Sequence, residues 1–170
     1  MQRLLSLYKV DPSYIKYLHS IDGRISVKYN NRPFVGIITM LNGICYVVPL
    51  TSQTTDIRRQ EGKKKRSSQI TSFIKDGKGQ EIADLLYNNM FPVIDGVCEL
   101  IEINPDKDTY ELNEIRYIRK NREEIIKKAQ KVYDKRNSQK DAFFNKTCCD
   151  YEKLESTFKA FGDNNGSKGK

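Results

Sequence analysis

Apolar and polar residues form their clearest pattern in the first third of the chain. Residues 34–41 (FVGIITML) and 44–50 (ICYVVPL) are rich in strand-forming side chains, and the Asn-Gly pair between them is typical of a tight type I′ turn. This pattern predicts a β-hairpin. Because proline cannot donate a hydrogen bond to a strand ladder, Pro49 is expected at the end or the edge of the second strand. Thr51 and Ser52 are then expected where that strand leaves the sheet.

Shorter patterns on both sides of this hairpin predict further elements. Residues 1–10 alternate loosely, as in a strand, and an Asp-Pro pair then opens a helix that is expected to end at Gly23. Residues 24–33 are polar and basic, and residues 54–68 lack apolar periodicity, so both segments are predicted to be loops. Further strands are predicted at residues 69–74, 80–86, 91–94 and 97–103.

The period of the pattern changes in the second half of the chain. From Thr109 the apolar residues recur at three-, four- and seven-residue steps, which predicts one or two helices in a highly charged segment. A break is predicted at residues 141–146, and a last helix over residues 151–161 is expected to end at Gly162. Strands that come first and helices that come later predict an α+β fold with an antiparallel sheet.

The length of 170 residues fits one domain with a core of its own. We expect a single domain over residues 1–162 and a flexible, polar tail over residues 163–170. The four cysteines include no Cys-x-x-Cys pair and His19 is the only histidine, so idle thiols are a simpler interpretation than a zinc site. No apolar run is long enough to span a membrane, and no secretory signal is visible, which favours a cytoplasmic protein.

Charge narrows the choice of partner. The chain has 30 Lys and Arg against 22 Asp and Glu, a net charge of +8. Residues 54–66 carry +4 (six basic, two acidic) and residues 113–140 carry +6 (ten basic, four acidic), so these two segments hold more than the whole excess. Such an excess favours a polyanion, with nucleic acid first and an anionic membrane surface second, although a solvated face is the common alternative. The tyrosines of the second segment either pack against the core or stack on unpaired bases.

The available side chains disfavour several enzyme classes. A Ser-His-Asp triad or a Cys-His pair would have to use His19, which is expected on the surface of a helix. The chain has no Gly-rich nucleotide loop. The odd spacing of Glu99 and Glu102 places them on opposite faces of a strand, which disfavours a two-metal carboxylate site. No metal and no cofactor are therefore expected.

RNA cleavage needs none of these groups, because RNA carries its own nucleophile, the 2′-hydroxyl. An enzyme has to hold that oxygen in line with the adjacent phosphorus and stabilise the charge that develops on the phosphoryl oxygens. Tyr29, Arg32, Thr51 and Ser52 are of suitable kinds for this work. A Thr-Ser pair at the end of a strand is, however, ordinarily a turn or a cap.

Three segments carry a resemblance to a known family: residues 14–18 (YIKYL), 29–37 (YNNRPFVGI) and 46–52 (YVVPLTS). They resemble the ToxN/AbiQ family, the endoribonuclease toxins of type III toxin–antitoxin systems. The most specific parts are the Tyr to Phe-Val-Gly segment and the Pro-Leu-Thr-Ser segment at their separation. Weaker similarity continues through residues 90–94, 115–119 and 151–162.

The resemblance implies a strongly twisted antiparallel sheet with surrounding helices, similar to the MazF/Kid ribonucleases. It implies metal-independent cleavage of cellular or phage RNA that leaves a 2′,3′-cyclic phosphate and a 5′-hydroxyl, and a role in phage defence. It also implies that the toxin cuts the repetitive precursor of its own RNA antitoxin. The processed pseudoknots would bind back in a closed protein–RNA assembly and cover the active site.

The family's functional residues can be placed on this sequence one at a time. The active-site serine falls on Ser52, with Thr51 before it, and a tyrosine of the preceding loop falls on Tyr29. A family lysine before the Phe-x-Gly strand falls on Arg32, which keeps the positive charge but cannot shuttle a proton.

A second family lysine, close after the Thr-Ser pair, has no counterpart here, because Gln53 and Thr54 stand there. Which of the following cations takes its role stays open. The candidate RNA-binding residues are Arg58, Arg59, Lys63, Lys64, Lys65, Arg66, Arg116, Tyr117, Arg119 and Lys120. The alternative function is a non-catalytic RNA- or DNA-binding module in which the Thr-Ser pair is merely a turn, and a membrane-surface role comes third.

Overall fold

The computed structural model describes residues 3–27 and 34–166. The strands are β1 (Leu7–Val10), β2 (Phe34–Leu41), β3 (Ile44–Thr51), β4 (Thr71–Lys75), β5 (Glu81–Leu86), β6 (Phe91–Pro92) and β7 (Cys98–Leu100). The helices are α1 (Pro12–Ile21), α2 (Thr55–Gln60), α3 (Thr109–Lys120), α4 (Arg122–Ser138), α5 (Ala142–Thr147), α6 (Tyr151–Thr157) and α7 (Ala160–Gly166). A 3-10 helix, Tyr87–Asn89, follows β5. This content confirms the predicted α+β fold.

Over the described ranges, the strands form one antiparallel sheet of seven strands. Their order is β4-β5-β3-β2-β1-β7, and β6 also pairs with β3. One edge of β3 lies along β2, whereas its other edge pairs first with β6 and then with β5. The end of β3 is therefore enclosed by neighbouring strands. The predicted likeness to the MazF/Kid ribonucleases stays a prediction.

The predicted hairpin is confirmed as β2 and β3. Residues 36–41 pair with residues 44–49, and the turn between them has φ of 50° at Asn42 and 80° at Gly43, as a type I′ turn requires. Pro49 lies inside β3, two residues before its end, between the stretches that pair with β6 and with β5. The hairpin thus places the end of β3 beside the start of β2.

Buried tyrosines tie the helices to the sheet. The hydroxyls of Tyr46 in β3 and Tyr133 in α4 both donate to Glu155 Oε1 in α6, at 2.6 and 2.7 Å. Burial, together with the hydrogen bond to Glu155, raises the pKa of both phenols, that of Tyr133 to about 12, so both remain donors near neutral pH. Packing, rather than base stacking, is therefore the role of Tyr133.

Two helices lie where the pattern predicted none. The predicted break at 141–146 is wrong: α5 forms there because the Asp141 carboxylate accepts hydrogen bonds from the N–H groups of Phe143 (2.9 Å) and Phe144 (3.4 Å), and Phe144 is buried. The predicted loop over 54–68 contains α2. The first N–H group of α2, on Thr55, donates to the carboxylate of Glu81 in β5, which lies 26 residues further along the chain.

The last helical region also differs from its prediction. Gly162 does not end a helix but lies within α7, which begins at Ala160. Phe161 of α7 packs edge-on against Tyr14 of α1, with ring centroids 5.1 Å apart. This aromatic contact stabilises α7, whose mostly polar sequence does not predict a helix. The division into a domain over 1–162 and a flexible tail over 163–170 stays a prediction, and the structure adds that α7 runs to Gly166.

No helix in the described part of the chain is both long enough and apolar enough to cross a membrane.

Candidate functional site

The Thr51-Ser52 pair lies where β3 ends, as predicted. Thr51 is half-buried and pairs with Asp84 of β5, and Ser52 is exposed one residue further on. The chain then turns sharply: the Gln53 N–H donates to Thr51 Oγ1 at 3.2 Å, and the Thr54 N–H donates to the Ser52 carbonyl at 3.0 Å. The turn holds Ser52 at the end of β3.

A mostly buried arginine is hydrogen-bonded to this turn. Arg66 Nη1 donates to the Gln53 carbonyl at 2.6 Å and to Asp84 Oδ2 at 3.0 Å. Its side chain is 15% exposed, and that of Asp84 only 1%. The last cation of the predicted RNA-binding loop is therefore bound to the protein itself. We call this arrangement of Arg66, Asp84 and the Gln53 carbonyl the arginine bracket.

Two carboxyl groups beside the bracket influence each other. Burial, and next the hydrogen bond and charge of Glu81, raise the pKa of Asp84 to about 7. Burial also opposes ionisation of Glu81, but hydrogen bonds from Asp84 and from the N–H and hydroxyl of Thr55 lower its pKa below the ordinary value. Near pH 7 Asp84 is therefore only partly ionised, and it lies beside an ionised Glu81 and the Arg66 cation. Asp84 Oδ1 is buried and has no hydrogen-bond partner among the described residues.

Most of this arrangement cannot be predicted from the sequence. Glu81 and Asp84 carry no recognisable motif, and Arg66 lies 18 residues before its carboxylate. One clue is visible, since Asp84 interrupts the apolar run Ala-Asp-Leu-Leu of a predicted strand. A carboxylate at an interior strand position needs a partner, and an arginine is the usual one.

Two predicted site residues, Tyr29 and Arg32, lie outside the described residues. The described chain resumes at Phe34, which begins β2. Gly36 pairs with Pro49, so β2 begins at the end of the sheet where β3 finishes with Thr51. The roles of Tyr29 and Arg32 stay predictions.

The predicted basic loop is an ordered segment whose cations are partly engaged. Arg58 donates from Nε and Nη2 to the Lys64 carbonyl, at 3.1 and 2.8 Å, which closes the turn after α2. Two further cations form exposed ion pairs, Arg59 with Asp56 at 2.8 Å and Lys63 with Glu61 at 2.7 Å. Lys64 is exposed, and Lys65 lies over the Phe73 ring at 5.6 Å.

The four residues of α3 that are predicted to contact RNA are not equally exposed. Arg116, Arg119 and Lys120 are exposed, whereas Tyr117 is half-buried and packs against the core. Stacking on RNA bases is therefore less available to Tyr117 than the sequence suggested.

His19 and the two adjacent cysteines have structural surroundings. His19 is half-buried rather than on the surface, and its Nδ1 lies 2.6 Å from the Ile25 carbonyl. Cys148 and Cys149 are buried, and burial raises the pKa of both thiols. Within residues 3–27 and 34–166, no three His, Cys, Asp or Glu side chains are arranged to hold a metal ion.

Comparison with known proteins gives the class of this fold and site. A solved structure of a bacterial type III toxin–antitoxin system, in which a non-coding RNA pseudoknot selectively inhibits the toxin, superposes with a TM-score of 0.77 at 28% identity, over 92% of this chain and 96% of that chain. The model of the family described as "Toxin ToxN, type III toxin-antitoxin system" matches residues 6–159. The chain belongs to this family, which confirms the resemblance inferred from the sequence.

Two relatives extend the comparison. Endoribonuclease ToxN of Bacillus thuringiensis subsp. kurstaki is 28% identical over 175 residues, 95% of this chain and 86% of that protein. Endoribonuclease AbiQ of Lactococcus lactis subsp. lactis is 26% identical over 162 residues, 92% of this chain and 88% of that protein. A structure of AbiQ, a lactococcal anti-phage endoribonuclease, has the same fold with a TM-score of 0.80 at 24% identity, over 93% and 98% of the two chains.

Proposed function

We propose that this protein is an endoribonuclease toxin of a type III toxin–antitoxin system. Membership of the ToxN family supports the proposal most strongly, because the relatives over nearly its whole length are named endoribonucleases. The arrangement at the end of β3 is compatible with it. An exposed serine at the end of a strand, in a turn that hydrogen bonds hold in place, is a suitable place for a phosphodiester.

The proposed reaction is an internal transesterification. The 2′-oxygen of a nucleotide attacks the adjacent phosphorus, a P–O2′ bond forms, and the P–O5′ bond breaks. The proton of the 2′-hydroxyl is lost, and the leaving 5′-oxygen gains one, so the products are a 2′,3′-cyclic phosphate and a 5′-hydroxyl. RNA supplies the nucleophile itself, so the reaction needs no metal ion.

We assign roles to residues around Ser52. The Ser52 hydroxyl donates a hydrogen bond to the scissile phosphate or orients the 2′-hydroxyl, and it is not itself modified. Thr51 supports it from the last position of β3, and Tyr29 and Arg32 complete the site. A charge-assisted contact from Arg32 stabilises the phosphoryl oxygens, since an arginine stays charged throughout the reaction.

We also propose that the partner is a structured RNA. A type III toxin of the same fold is inhibited by an RNA pseudoknot, and this chain carries an excess of +8. The toxin would cut the repetitive precursor of that RNA and be silenced by the product in a closed assembly. The exposed cations Arg59, Lys63, Lys64, Arg116 and their neighbours would contact phosphates. AbiQ suggests a role in defence against phage.

One experiment separates this function from its alternative. Purified protein is incubated with a mixture of RNAs in the presence of EDTA, and the ends of any fragments are analysed. Fragments with 2′,3′-cyclic phosphate and 5′-hydroxyl ends are expected. A mobility shift without cleavage would instead favour a non-catalytic RNA-binding module. In that case the Thr51-Ser52 pair would be an ordinary turn, closed by the hydrogen bond from the Gln53 N–H to Thr51 Oγ1.

A further inference from the structure

Three lysines form a straight row on α4. Lys127, Lys131 and Lys135 are spaced at four-residue intervals, so they lie above one another on one face of the helix, about 6 Å apart along its axis. All three are exposed, and no ion pair or hydrogen bond links their ammonium groups to any residue in the described part of the chain. We call this row the lysine ridge.

The ridge separates two hollows. On one side is a cleft of about 540 Å³, whose far wall contains Ser68 and Gln69, just after the segment that ends in Arg66. On the other side is a shallower hollow of about 690 Å³ that includes Ile126. Both hollows are lined by all three lysines, so the ridge is within reach of a ligand in either.

The acidic residues near the ridge do not cancel its charge. Glu124 and Asp141 line the cleft, and Asp134 lines the other hollow. The Asp141 carboxylate accepts hydrogen bonds from two N–H groups of α5, and Asp134 accepts one from the Gln130 amide at 2.9 Å. The cleft is nevertheless lined by four lysines against two carboxylates, and the other hollow by three lysines against one, so each hollow keeps a net charge of +2.

The neighbouring Lys128 shows what a structural lysine looks like on the same helix. Its Nζ donates to the Thr71 carbonyl at 2.5 Å and lies 5.6 Å over the Tyr87 ring. Burial, and then the charge of Lys131, lower its pKa. Lys128 thus has a role in packing, whereas the ridge has none and even costs helix stability, because like charges four residues apart repel.

We propose that the lysine ridge binds the phosphate backbone of a bound RNA at a site separate from the Thr51-Ser52 edge. This inference rests on the proposed function, because it takes RNA as the ligand. The row of point charges suits successive phosphates of one strand, and the aromatic ring that lines the cleft, Phe144, is buried and leaves little surface for a base. It therefore grips RNA without reading its sequence.

An anionic membrane fits the same surface less well. Membrane-surface helices bury a continuous apolar face, and among the large hydrophobic residues of α4 only Ile126 is exposed. The other apolar residues of the helix face the core: Ile125, Ala129, Val132 and Tyr133.

The test compares two triple variants that lose the same charge. Lys127→Gln/Lys131→Gln/Lys135→Gln removes the ridge, and Lys16→Gln/Lys107→Gln/Lys153→Gln removes three exposed lysines elsewhere. Each is titrated with a long RNA that is 2′-O-methylated throughout, so that cleavage is blocked, between about 50 and 200 mM salt. Thermal unfolding checks the fold, and the ridge variant is expected to melt no lower than the wild type, because glutamine is a good helix former.

The ridge variant is expected to bind the long RNA about tenfold more weakly than the control variant, with a log–log salt slope that is smaller by about 2, as the loss of three phosphate contacts on a single strand predicts. Cleavage of an oligonucleotide of a few residues should be unchanged. Equal affinities and slopes for the two variants, with wild-type cleavage intact, would overturn the ridge proposal alone. A wild-type protein that neither cuts nor binds RNA would overturn the proposed function. Ridge-dependent binding to anionic vesicles in place of RNA would overturn the choice of ligand.

Discussion

Two basic regions of this protein use their positive charge in opposite ways. In the segment 54–66 two of the six cations are built into the protein: Arg66 is mostly buried against Asp84, and Arg58 closes a turn around the Lys64 carbonyl. On α4 the lysine ridge holds three exposed ammonium groups in a row between two hollows. Part of the first region therefore builds the candidate cleavage site, whereas all three lysines of the second are exposed to a ligand.

The comparison shows what a count of charges leaves out. The two segments differ little in net charge, +4 against +6, and both were predicted to contact RNA. A buried guanidinium with a carboxylate and a carbonyl has its hydrogen bonds satisfied and has little to offer a phosphate. An exposed lysine row has lost no hydration and can exchange its counterions for a polyanion.

The largest expected effect comes from breaking the arginine bracket. At about pH 8, where Asp84 is ionised, Asp84→Ala leaves the mostly buried Arg66 cation without its carboxylate, which should lower the free energy of unfolding by about 3 kcal/mol. Urea denaturation measures it. Adding Arg66→Met should recover part of the loss, because no unpaired charge then remains. A single variant as stable as the wild type would show that Arg66 is not structural.

The second prediction concerns RNA cleavage and the role of Ser52 at the end of β3. If Ser52 contacts the scissile phosphate, Ser52→Ala should lower the cleavage rate about 100-fold or more. Stability should change little, since Ser52 is exposed. Ser20→Ala, an exposed serine on α1, is the matched control. Single-turnover cleavage of a short RNA at wild-type rate by the Ser52→Ala protein would refute the assignment.

The carboxyls near the bracket predict a pH dependence. The pKa of Asp84 is raised from 3.8 to about 7 in the folded protein, so the folded state holds an extra proton between these values, and the free energy of unfolding should fall as pH rises from about 4 to about 7. Burial and the charge of Glu111 raise the pKa of Glu114 to about 8, which extends the fall. Glu81 acts oppositely below about 4.5, because its pKa is lowered.

The slope should be at most about 1.4 kcal/mol per pH unit for each group. The slope is measured by urea denaturation between about pH 5 and pH 8 in the wild-type protein and in two variants. Asp84→Asn should flatten the curve up to about pH 7, and Glu114→Gln should remove the part that extends to about pH 8. A wild-type curve that rises with pH over this range would contradict the proton on Asp84.

The smallest effect is expected from an exposed ion pair in the same basic segment. Arg59 and Asp56 are both more than 70% exposed, so Arg59→Ala should change the free energy of unfolding by less than about 0.5 kcal/mol. The contrast with Asp84→Ala, measured in the same urea series, tests whether burial separates the two kinds of cation. A loss as large as that of Asp84→Ala would remove the distinction.

The sequence predicts those parts of the fold that neighbouring residues determine. The β2–β3 hairpin follows from its Asn-Gly turn and its two strand-forming runs, and that hairpin alone predicts where Thr51 and Ser52 lie. The helix α2 does not follow, because the carboxylate at its first N–H is Glu81, 26 residues away. Contacts of this kind exist only after the sheet has formed.

The candidate site is predictable to a similar extent. A position at the end of a strand and a family resemblance suffice to select Ser52. The role of Arg66 does not follow from sequence, since six cations in nine residues look alike until one of them is buried. The lysine ridge, by contrast, is visible as a four-residue spacing, but its neighbours Lys128 and Arg136 conceal it because they are cations too.

The hydrogen bonds that Tyr46 and Tyr133 donate to Glu155 have a mechanical consequence. They join β3, which ends at Thr51, to α4, which carries the lysine ridge, through one carboxylate of α6. The strand and the helix are therefore linked through a single side chain, and this link helps to set the distance between the two proposed RNA contacts. An RNA that bridged both would have to match that distance with its own bend and length.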